Sequence, residues 1–301
     1  MDLTDYQSDA DGIIAVLVLY NTRLEDSITF TSLRNSLKKN NLRMDILVYD
    51  NSPTPMVNDS DSVSDNWRIH YIHNETNPGV STAYNYGFQL AKRLQKKWVL
   101  LLDQDTTFPK DALTRYFQAV HKYKGRFLFA PILKSGNKIW SPCRYFLKRG
   151  FHLKSVNIGI NSIRYTSPLN SGMLLHMSLF EKTGMFNEKL KLDFSDFYFI
   201  ERYRKHFSDF VVIDLLCDHG TSTIENRNDV EKSLNRFRYF SEGAKHSANN
   251  FGELLVLTFF VGLRAAKLSL IHKNFRFFVI FHEYFFCEKS RQERKIPDNR
   301  L

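Results

Sequence analysis

An apolar run that ends at two aspartates, KKWVLLLDQDT over residues 96–106, constrains the fold of this chain more than any other segment. Residues 98–102 are too few and too apolar for a surface helix, and they predict a buried β-strand. Asp103 and Asp105 follow at its C-terminal end, where ligands bind in open α/β sheets. Two carboxylates one residue apart can hold a divalent cation, which in turn can hold a diphosphate. The alternative is that both aspartates cap the following helix.

The composition narrows the class of protein. A chain of 301 residues, 43% hydrophobic, fits one large domain or one domain with an appendage. Its three cysteines lie far apart, which argues for a reducing compartment and against a disulfide framework. The acidic, polar N-terminus resembles neither a secretory signal nor a transit peptide. The net charge of +10 is spread along the chain, so we expect an anionic membrane surface or a phosphorylated substrate rather than nucleic acid.

Further apolar runs predict strands at residues 13–19, 44–49, 68–73 and 127–133, with helices at 25–39 and 80–94 between them. Alternating strands and helices indicate right-handed βαβ units and a mostly parallel sheet. Tyr20, Asp50 and Asp103 follow three of these strands and should converge on one edge. The chain lacks both the Gly-x-Gly-x-x-Gly of a dinucleotide fold and the Gly-Lys-Ser/Thr of a P-loop. Phosphate binding therefore falls to Asp103 and Asp105 with a metal ion.

Four segments, LVLYN, VYDNS, NPGVSTAYNYG and LLLDQDT, occur in an order that resembles the inverting glycosyltransferases of family 2. Within that family the chain is most similar to the rhamnosyltransferase and galactofuranosyltransferase group. The resemblance covers residues 13–220 and implies an α/β fold of the GT-A (nucleotide-diphospho-sugar transferase) type, a mostly parallel central sheet flanked by helices. It places a GT-A domain at residues 1–225 and a C-terminal helical region at residues 226–301.

The resemblance also implies roles at the donor site. Tyr20 and Asp50 would contact the base of the nucleotide, and Asp103 would bind the ribose and the metal. Asp105 would bind Mn²⁺ or Mg²⁺ directly. For Asp50 the alternative is an Asx-turn with Ser52.

Two residues of the segment after the third strand, Asn77 and Gly79, are implied to belong to the loop before the helix that covers the nucleotide. Gly79 also fits a plain turn at a helix start.

The catalytic base is sought in KLDFSDFYFIERYRK, residues 191–205. An inverting transfer needs a carboxylate that takes the proton of the acceptor hydroxyl. Asp196, followed by Arg202 at the spacing that the family shows, is the first candidate, and Asp193 is the second. Tyr198 stands where the family often has a second acidic residue. The alternative is that Ser195 or Asp196 caps a helix.

Further candidates lie on either side of this segment. In the galactofuranosyltransferase relatives a histidine placed like His219 completes the metal site, and imidazole with two carboxylates suits Mn²⁺ or Mg²⁺. The family places Asn170, Ser171 and Gly172 under the donor sugar and acceptor, although a turn at a strand entry also explains them. With Asp193 and Arg202, these three residues form the predicted acceptor and sugar lining.

The C-terminal third carries an apolar segment, residues 254–263, that is too short to span a bilayer, for which about 20 residues are needed. Residues 264–286 then alternate basic with aromatic and aliphatic side chains. This pattern predicts an amphipathic helix pair that lies on a membrane interface. The alternative is packing on the catalytic domain or on a second subunit, with oligomerisation through these helices.

Together these features predict a metal-dependent inverting glycosyltransferase at the cytoplasmic, inner face of the cell membrane. Rhamnose from a dTDP-linked donor is the first expectation, with a lipid-linked glycan or growing cell-surface polysaccharide, such as O-antigen or capsule, as acceptor. The alternatives are a galactofuranosyl- or galactosyltransferase with a UDP-linked donor and a polyprenyl-phosphate glycosyltransferase. A basic nucleic-acid- or membrane-binding protein without enzymatic activity is the most distant alternative.

Overall fold

The computed structural model describes residues 3–57, 66–220 and 229–287, which include every predicted site residue. The chain divides into two compact units, residues 1–224 and 225–301. The predicted domain boundary, between residues 225 and 226, lies outside the described residues.

The first unit alternates helices with strands. Its helices are α1 Leu3–Asp11, α2 Ile28–Lys39, α3 Val80–Arg93, α4 Ala112–Lys122, α5 Phe180–Thr183 and α6 Ser195–Tyr203. Its strands are β1 Ile13–Leu19, β2 Met44–Asp50, β3 Trp67–His73, β4 Trp98–Asp103, β5 Thr106–Thr107, β6 Leu128–Ser135, β7 Lys138–Phe146, β8 Arg149–Leu153, β9 Gly159–Ser162, β10 Thr166–Ser167, β11 Leu174–His176 and β12 Asp209–His219.

The first half of the sheet is parallel, as predicted. Strand β1 lies between β2 and β4, and β3 extends the sheet beyond β2. Both β1 and β2 are buried along their whole length, which explains why β1 has no polar residue and why β2 is apolar between Asp45 and Asp50 except for Tyr49. In this register Leu19 pairs with Asp50 and Val18 pairs with Asp103. The polar ends of β1, β2 and β4 therefore meet at one edge of the sheet.

The second half of the sheet contains antiparallel strands that the sequence pattern did not predict. Strand β11 is antiparallel to both β4 and β6, and β7 continues the sheet beyond β6. Strand β12 runs parallel to β6 and pairs at its end with the short β5. The sheet is therefore mixed, because strands of two to five residues form by pairing with distant segments rather than from their own periodicity.

Helices cover both faces of this sheet. Leu33 and Leu37 of α2 pack with Phe117 of α4 in one buried cluster. Tyr84 of α3 and Phe199 of α6 belong to a second cluster on the other face. Fully burying a side chain of this size contributes about 2 kcal/mol, so both layers stabilise the sheet that carries the polar edge.

Within the described residues 229–287, the second unit has three helices, α7 Val230–Ser247, α8 Phe251–His272 and α9 Arg276–Phe285, which pack on one another. The expectation that the apolar segment at residues 254–263 is too short to cross a membrane was wrong about its length. This segment lies within α8, a continuous helix of 22 residues that is long and apolar enough to span a bilayer by length and composition. Only 22% of its most apolar window is buried within the structure. The sequence pattern missed the length because Arg264 and Lys267 interrupt the apolar run without ending the helix.

Candidate active site

Three possible metal ligands meet at the polar edge of the sheet: Asp103, Asp105 and His219. One ligand atom from each lies within 4.8 Å of the others, and Asp105 Oδ1 lies 3.8 Å from His219 Nδ1. His219 arrives at this point because β12 pairs antiparallel with β5, which places it opposite Thr106. The hydroxyl of Thr106 lies 2.8 Å from His219 Nδ1 and orients the ring. Two carboxylates and an imidazole fit Mn²⁺ or Mg²⁺.

Within this cluster, the negative charge of Asp103 is unfavourable because its carboxyl group is buried. Burial and the neighbouring charge of Asp105 raise the pKa of its carboxyl, although His219 and a hydrogen bond from the Tyr84 hydroxyl, at 3.3 Å, partly oppose them. A divalent cation would stabilise both carboxylates in their charged form. The electrostatics of the cluster therefore favour a cation, as its geometry does.

Gln104, between the two aspartates, holds the loop that follows β1. Its amide oxygen accepts a hydrogen bond from the Tyr20 backbone N–H at 2.8 Å, and its amide nitrogen donates to the Thr22 hydroxyl at 2.9 Å. Tyr20 itself is exposed at the edge, where a planar ligand can reach its ring. The sequence pattern did not indicate this role of Gln104, because the spacing of residues along the chain does not show that the glutamine bridges two loops.

Residues 170–172 lie beneath the carboxylates. The Ser171 hydroxyl lies 2.9 Å from that of Thr106 and 3.4 Å from the Asp103 backbone N–H. Gly172 has φ +79°, and a Cβ there would lie 2.5 Å from Pro131, so this position requires glycine for a turn and a close contact. The amide oxygen of Asn170 is buried and has no hydrogen-bond partner among the described residues. Ser171 and Gly172 therefore build the floor beneath the carboxylates, and the predicted contact of Asn170 with the sugar stays a prediction.

Asp50 is at the predicted edge, but its carboxylate already has three protein donors. It accepts hydrogen bonds from the backbone N–H groups of Ser52, at 2.9 Å, and Met56, at 2.7 Å, and from the Tyr71 hydroxyl, at 2.8 Å. The bond to Ser52 is the Asx-turn named as the alternative. The predicted contact of Asp50 with the base of a nucleotide stays a prediction, and its structural role is to shape the loop after β2.

Gly79 connects the two halves of the site. Asn77 and Gly79 have φ values of +46° and +95°, and a Cβ on Gly79 would lie 2.2 Å from the carbonyl oxygen of Lys191. The neighbouring Val80 N–H donates to the same carbonyl at 2.7 Å, and the Ser81 hydroxyl donates to Leu190. The start of α3 thus touches the segment that leads into α6, which only glycine permits.

Asp196 lies in the first turn of α6. Burial raises its pKa to about 7, and the negative charges of Asp103 and Asp193 add to the shift. The N-cap residue of α6 is Phe194, with φ +67°, and it makes no side-chain cap hydrogen bond. Neither Ser195 nor Asp196 occupies that position, but the Asp196 carboxylate accepts a hydrogen bond from the Phe197 backbone N–H, at 2.8 Å, within the first turn. Asp196 therefore satisfies one backbone donor at this helix start, and this contact is compatible with a second role as a base. A carboxyl group that titrates near neutral pH beside a possible metal cluster suits proton transfer.

Comparison with known proteins identifies the family. The family model for glycosyl transferase family 2 matches residues 15–168. The chain belongs to glycosyltransferase family 2. The resemblance seen in the sequence is therefore confirmed at the level of the family.

Among characterised proteins, the transferase is similar to the dTDP-rhamnosyl transferase RfbF of Shigella flexneri, with 23% identity over 186 residues. The match spans 62% of this chain and 60% of the length of that relative.

Solved structures share the fold. The mannosyltransferase PcManGT from Pyrobaculum calidifontis, in complex with GDP-Man and Mn²⁺, aligns with a TM-score of 0.50 at 11% identity over 92% of this chain and 88% of that one. GalNAc-T7, with UDP, GalNAc and Mn²⁺, aligns with a TM-score of 0.50 at 12% identity over 90% of this chain and 56% of that one. The GT-A fold is thus confirmed for the transferase.

The guanidinium of Arg202 donates to the backbone carbonyls of Met185, at 2.7 Å, and of Thr183, and it thereby holds the turn before residue 190. The predicted place of Arg202 in the acceptor and sugar lining stays a prediction. The guanidinium of Arg204 lies 5.2 Å from the centre of the Tyr145 ring.

Proposed function

We propose that this family 2 enzyme is a metal-dependent inverting transferase that moves a sugar from a nucleoside diphosphate to a hydroxyl of a glycan. The supporting observation is that Asp196, with a pKa of about 7, lies on the same edge as the Asp103–Asp105–His219 cluster. The negative charge of Asp103 helps to raise the pKa of Asp196, which supports the pairing of the candidate base with the candidate cation site.

In this proposal each residue has one task. Asp105 and His219, together with Asp103, would hold Mn²⁺ or Mg²⁺, which when bound would supply positive charge for the leaving diphosphate. Asp196 accepts the proton of the acceptor hydroxyl as the oxygen of that group attacks the anomeric carbon. Asp193 is the alternative base.

On the donor side, Tyr20 lies exposed at the edge, and the loop of Asn77 and Gly79 leads into α3. A dTDP-linked rhamnose is the first candidate donor because a similar protein is a dTDP-rhamnosyl transferase. UDP-linked galactofuranose and galactose are the alternatives. Lipid-linked glycan or growing surface polysaccharide, such as O-antigen or capsule, is the proposed acceptor.

The second unit supports a location at the cytoplasmic face of the membrane. Four apolar side chains of α8 are exposed at four-residue spacing and form one ridge: Phe251, Leu255, Phe259 and Leu263. A ridge of this kind can lie in a bilayer interface or on a second subunit. Because α8 is also long enough to span a bilayer, a polyprenyl-phosphate glycosyltransferase is retained as a second candidate function.

A thermal-shift panel tests the proposal. The protein is mixed with dTDP, UDP and their sugar conjugates, with Mn²⁺ or Mg²⁺ and then with a chelator. We expect a rise in melting temperature for one nucleotide class, lost in chelator, and no such rise for Asp105→Ala, which should keep the fold and lose transfer. Unchanged turnover in chelator would remove the metal from the proposal. Transfer to polyprenyl phosphate itself would favour the second candidate.

A further inference from the structure

One hairpin of the first unit has backbone strain and an exposed apolar residue that packing within the protein does not fully compensate. Strands β7 and β8 are joined by the two-residue turn Leu147–Lys148, whose φ values are +48° and +63°. Turns of this kind favour Asn and Gly because other residues are strained at positive φ. At Lys148 an ion pair compensates for this strain, because the buried ammonium lies 2.6 Å from Glu201 Oε2 on α6. Leu147 is 51% exposed and belongs to neither buried cluster, so its strain and exposure gain no core packing.

The inner side of the hairpin is fastened to the helix that carries Asp196. The ring of Tyr145 stacks on that of Phe197 at 4.6 Å, and its hydroxyl donates to Glu201 Oε1 at 2.7 Å. With the Lys148–Glu201 ion pair, these contacts hold the turn in one position on α6. The hairpin is thus a rigid projection attached to the proposed catalytic helix.

The outer side of the hairpin carries alternating aromatic and cationic side chains. Arg144 pairs with Phe151 across the strands, and Phe146 pairs with Arg149, so the four side chains share one face. All four are exposed, Phe146 at 54% and Phe151 at 45%. Residues 138–154 include five basic and no acidic residues. The surface is therefore apolar at its tip and positively charged along its flanks.

Both properties fit a lipid surface that carries negative charge. Aromatic side chains prefer the headgroup level, where their rings enter the acyl boundary, and arginines attract anionic phosphates nearby. Nucleic acid would match the arginines but leave the apolar tip exposed to water. The charge and the projecting tip together favour an anionic bilayer as the occupant.

We propose that the β7–β8 hairpin is a membrane contact of the catalytic unit, which places Phe146 and Leu147 at the headgroup boundary and Arg144 and Arg149 among lipid phosphates. This inference rests on the proposed function, in which the acceptor is linked to a lipid. The hairpin would hold α6, and with it Asp196, beside the surface from which that acceptor projects. It acts independently of the apolar ridge on α8.

The test uses the full chain and vesicles of phosphatidylcholine with or without phosphatidylglycerol. Phe146→Ser with Leu147→Ser should weaken sedimentation with anionic vesicles by about tenfold, because the apolar tip loses its burial. Arg144→Gln and Arg149→Gln should each weaken it by about fivefold, and only when phosphatidylglycerol is present. The matched control, Ile158→Ser with Ile160→Ser, removes two similarly exposed apolar side chains elsewhere in the unit and should leave binding unchanged.

A tryptophan in the turn reports depth directly. Leu147→Trp fluorescence should shift to the blue on addition of anionic vesicles, whereas Ile158→Trp fluorescence should not. The inference is overturned if the tip variants sediment like the wild type, or if the wild type does not sediment. It is also overturned if the tip variants instead change the oligomeric state in light scattering, which would identify a protein contact.

A separate readout distinguishes this inference from the proposed function. The tip variants should keep the wild-type thermal shift with nucleoside diphosphate and metal. If the wild type shows no such shift but the hairpin variants lose vesicle binding, the proposed function fails and the membrane contact stands. If the thermal shift is present and the hairpin substitutions do not change vesicle binding, the proposed membrane contact is wrong and the proposed function stands.

Discussion

The two edges of the central sheet place carboxylates in opposite surroundings. At the N-terminal edge, Asp45 of β2 accepts hydrogen bonds from Arg68 Nη2 at 2.8 Å, from Lys96 Nζ at 2.5 Å and from His70 Nε2 at 2.9 Å. Burial favours its neutral form, yet these three hydrogen bonds lower the pKa of Asp45 to about 2. Its charge is neutralised within the protein.

At the C-terminal edge the carboxylates face one another instead. Among the described residues, no lysine or arginine forms an ion pair with Asp103, Asp105 or Asp196. Burial and mutual repulsion raise the pKa of Asp103 and bring that of Asp196 to about 7. A neutralised carboxylate stabilises the fold, whereas carboxylates left without cationic side chains cost stability and are available for a cation and a proton. The contrast separates a structural carboxylate from the proposed catalytic cluster on one sheet.

The largest expected effect is a loss of activity from a substitution at the C-terminal edge. Asp196→Asn should lower kcat by about 10²–10⁴-fold, because the amide cannot accept the proton of the acceptor hydroxyl. The thermal shift with nucleoside diphosphate and metal should be retained. Steady-state kinetics on purified protein measure the change, with Asp193→Asn as the matched variant. A larger loss for Asp193→Asn would assign the base to Asp193.

A substitution at the N-terminal edge should instead lower stability and leave activity unchanged. Asp45→Asn should lower the free energy of unfolding by about 3 kcal/mol, because the ammonium of Lys96 is then buried without its anionic partner and keeps only its hydrogen bond to the Asp11 carbonyl. The kcat of the folded fraction should stay at the wild-type value. Denaturant titration and activity per folded molecule measure both quantities. A loss of kcat without a loss of stability would contradict the structural role of this edge.

The two edges should also respond to pH in opposite directions. The pKa of Asp45 is lower in the folded than in the unfolded chain, so its contribution of about 2 kcal/mol is present above pH ~4 and is lost as the pH falls towards 2. The pKa of Asp196 is higher in the folded chain, so stability falls as the pH rises from about 4 to about 7. Melting temperatures against pH in chelator should show a flatter acid limb for Asp45→Asn and a flatter upper limb for Asp196→Asn. Identical profiles for the wild type and both variants would refute the contrast.

The smallest effect concerns how the C-terminal edge is held together. Gln104→Ala removes the hydrogen bonds to Tyr20 and Thr22, each worth about 1 kcal/mol. We expect a several-fold rise in the KM for the nucleotide sugar with little change in kcat, because the loop that carries Tyr20 is loosened. Gln7→Ala, which removes hydrogen bonds to Arg43 away from this edge, is the control and should leave the KM unchanged. Equal KM values for Gln104→Ala and the wild type would show that this clamp does not support the donor.

Local patterns predicted the elements whose burial is continuous. Strands β1, β2 and β4 read as apolar runs because both faces of the sheet are covered, and Asp50 and Asp103 mark where each strand leaves the core. The same patterns did not predict β5, whose two residues form a strand only because they pair with β12. They also did not show that the strand expected after Gly172, β11, would be antiparallel to its neighbours. The length of α8 was missed because Arg264 and Lys267 interrupt the apolar run without ending the helix: Lys267 is exposed, and the guanidinium of Arg264 lies 4.1 Å from the centre of the Phe240 ring.

Residue spacing was less informative about the site. The interval between Asp196 and Arg202 matched the family, but the turn at residues 183–185 accepts the hydrogen bonds of the arginine. The neighbouring backbone and Tyr71 already donate to Asp50. Gln104 carried no signal, since its partners lie far away in the chain. Whether a polar side chain faces a ligand depends on partners that spacing does not show.

The sequence by itself determined the parallel half of the sheet and the carboxylates Asp103 and Asp105 at its edge, because hydrophobic burial leaves a local record in the order of residues. Only the tertiary structure decided that His219 joins them through the pairing of β5 with β12. It alone also decided that Gly79 must be a glycine beside Lys191, and that the β7–β8 hairpin lies fastened to α6. These are contacts between segments far apart in the chain, and their geometry depends on how the whole sheet is assembled.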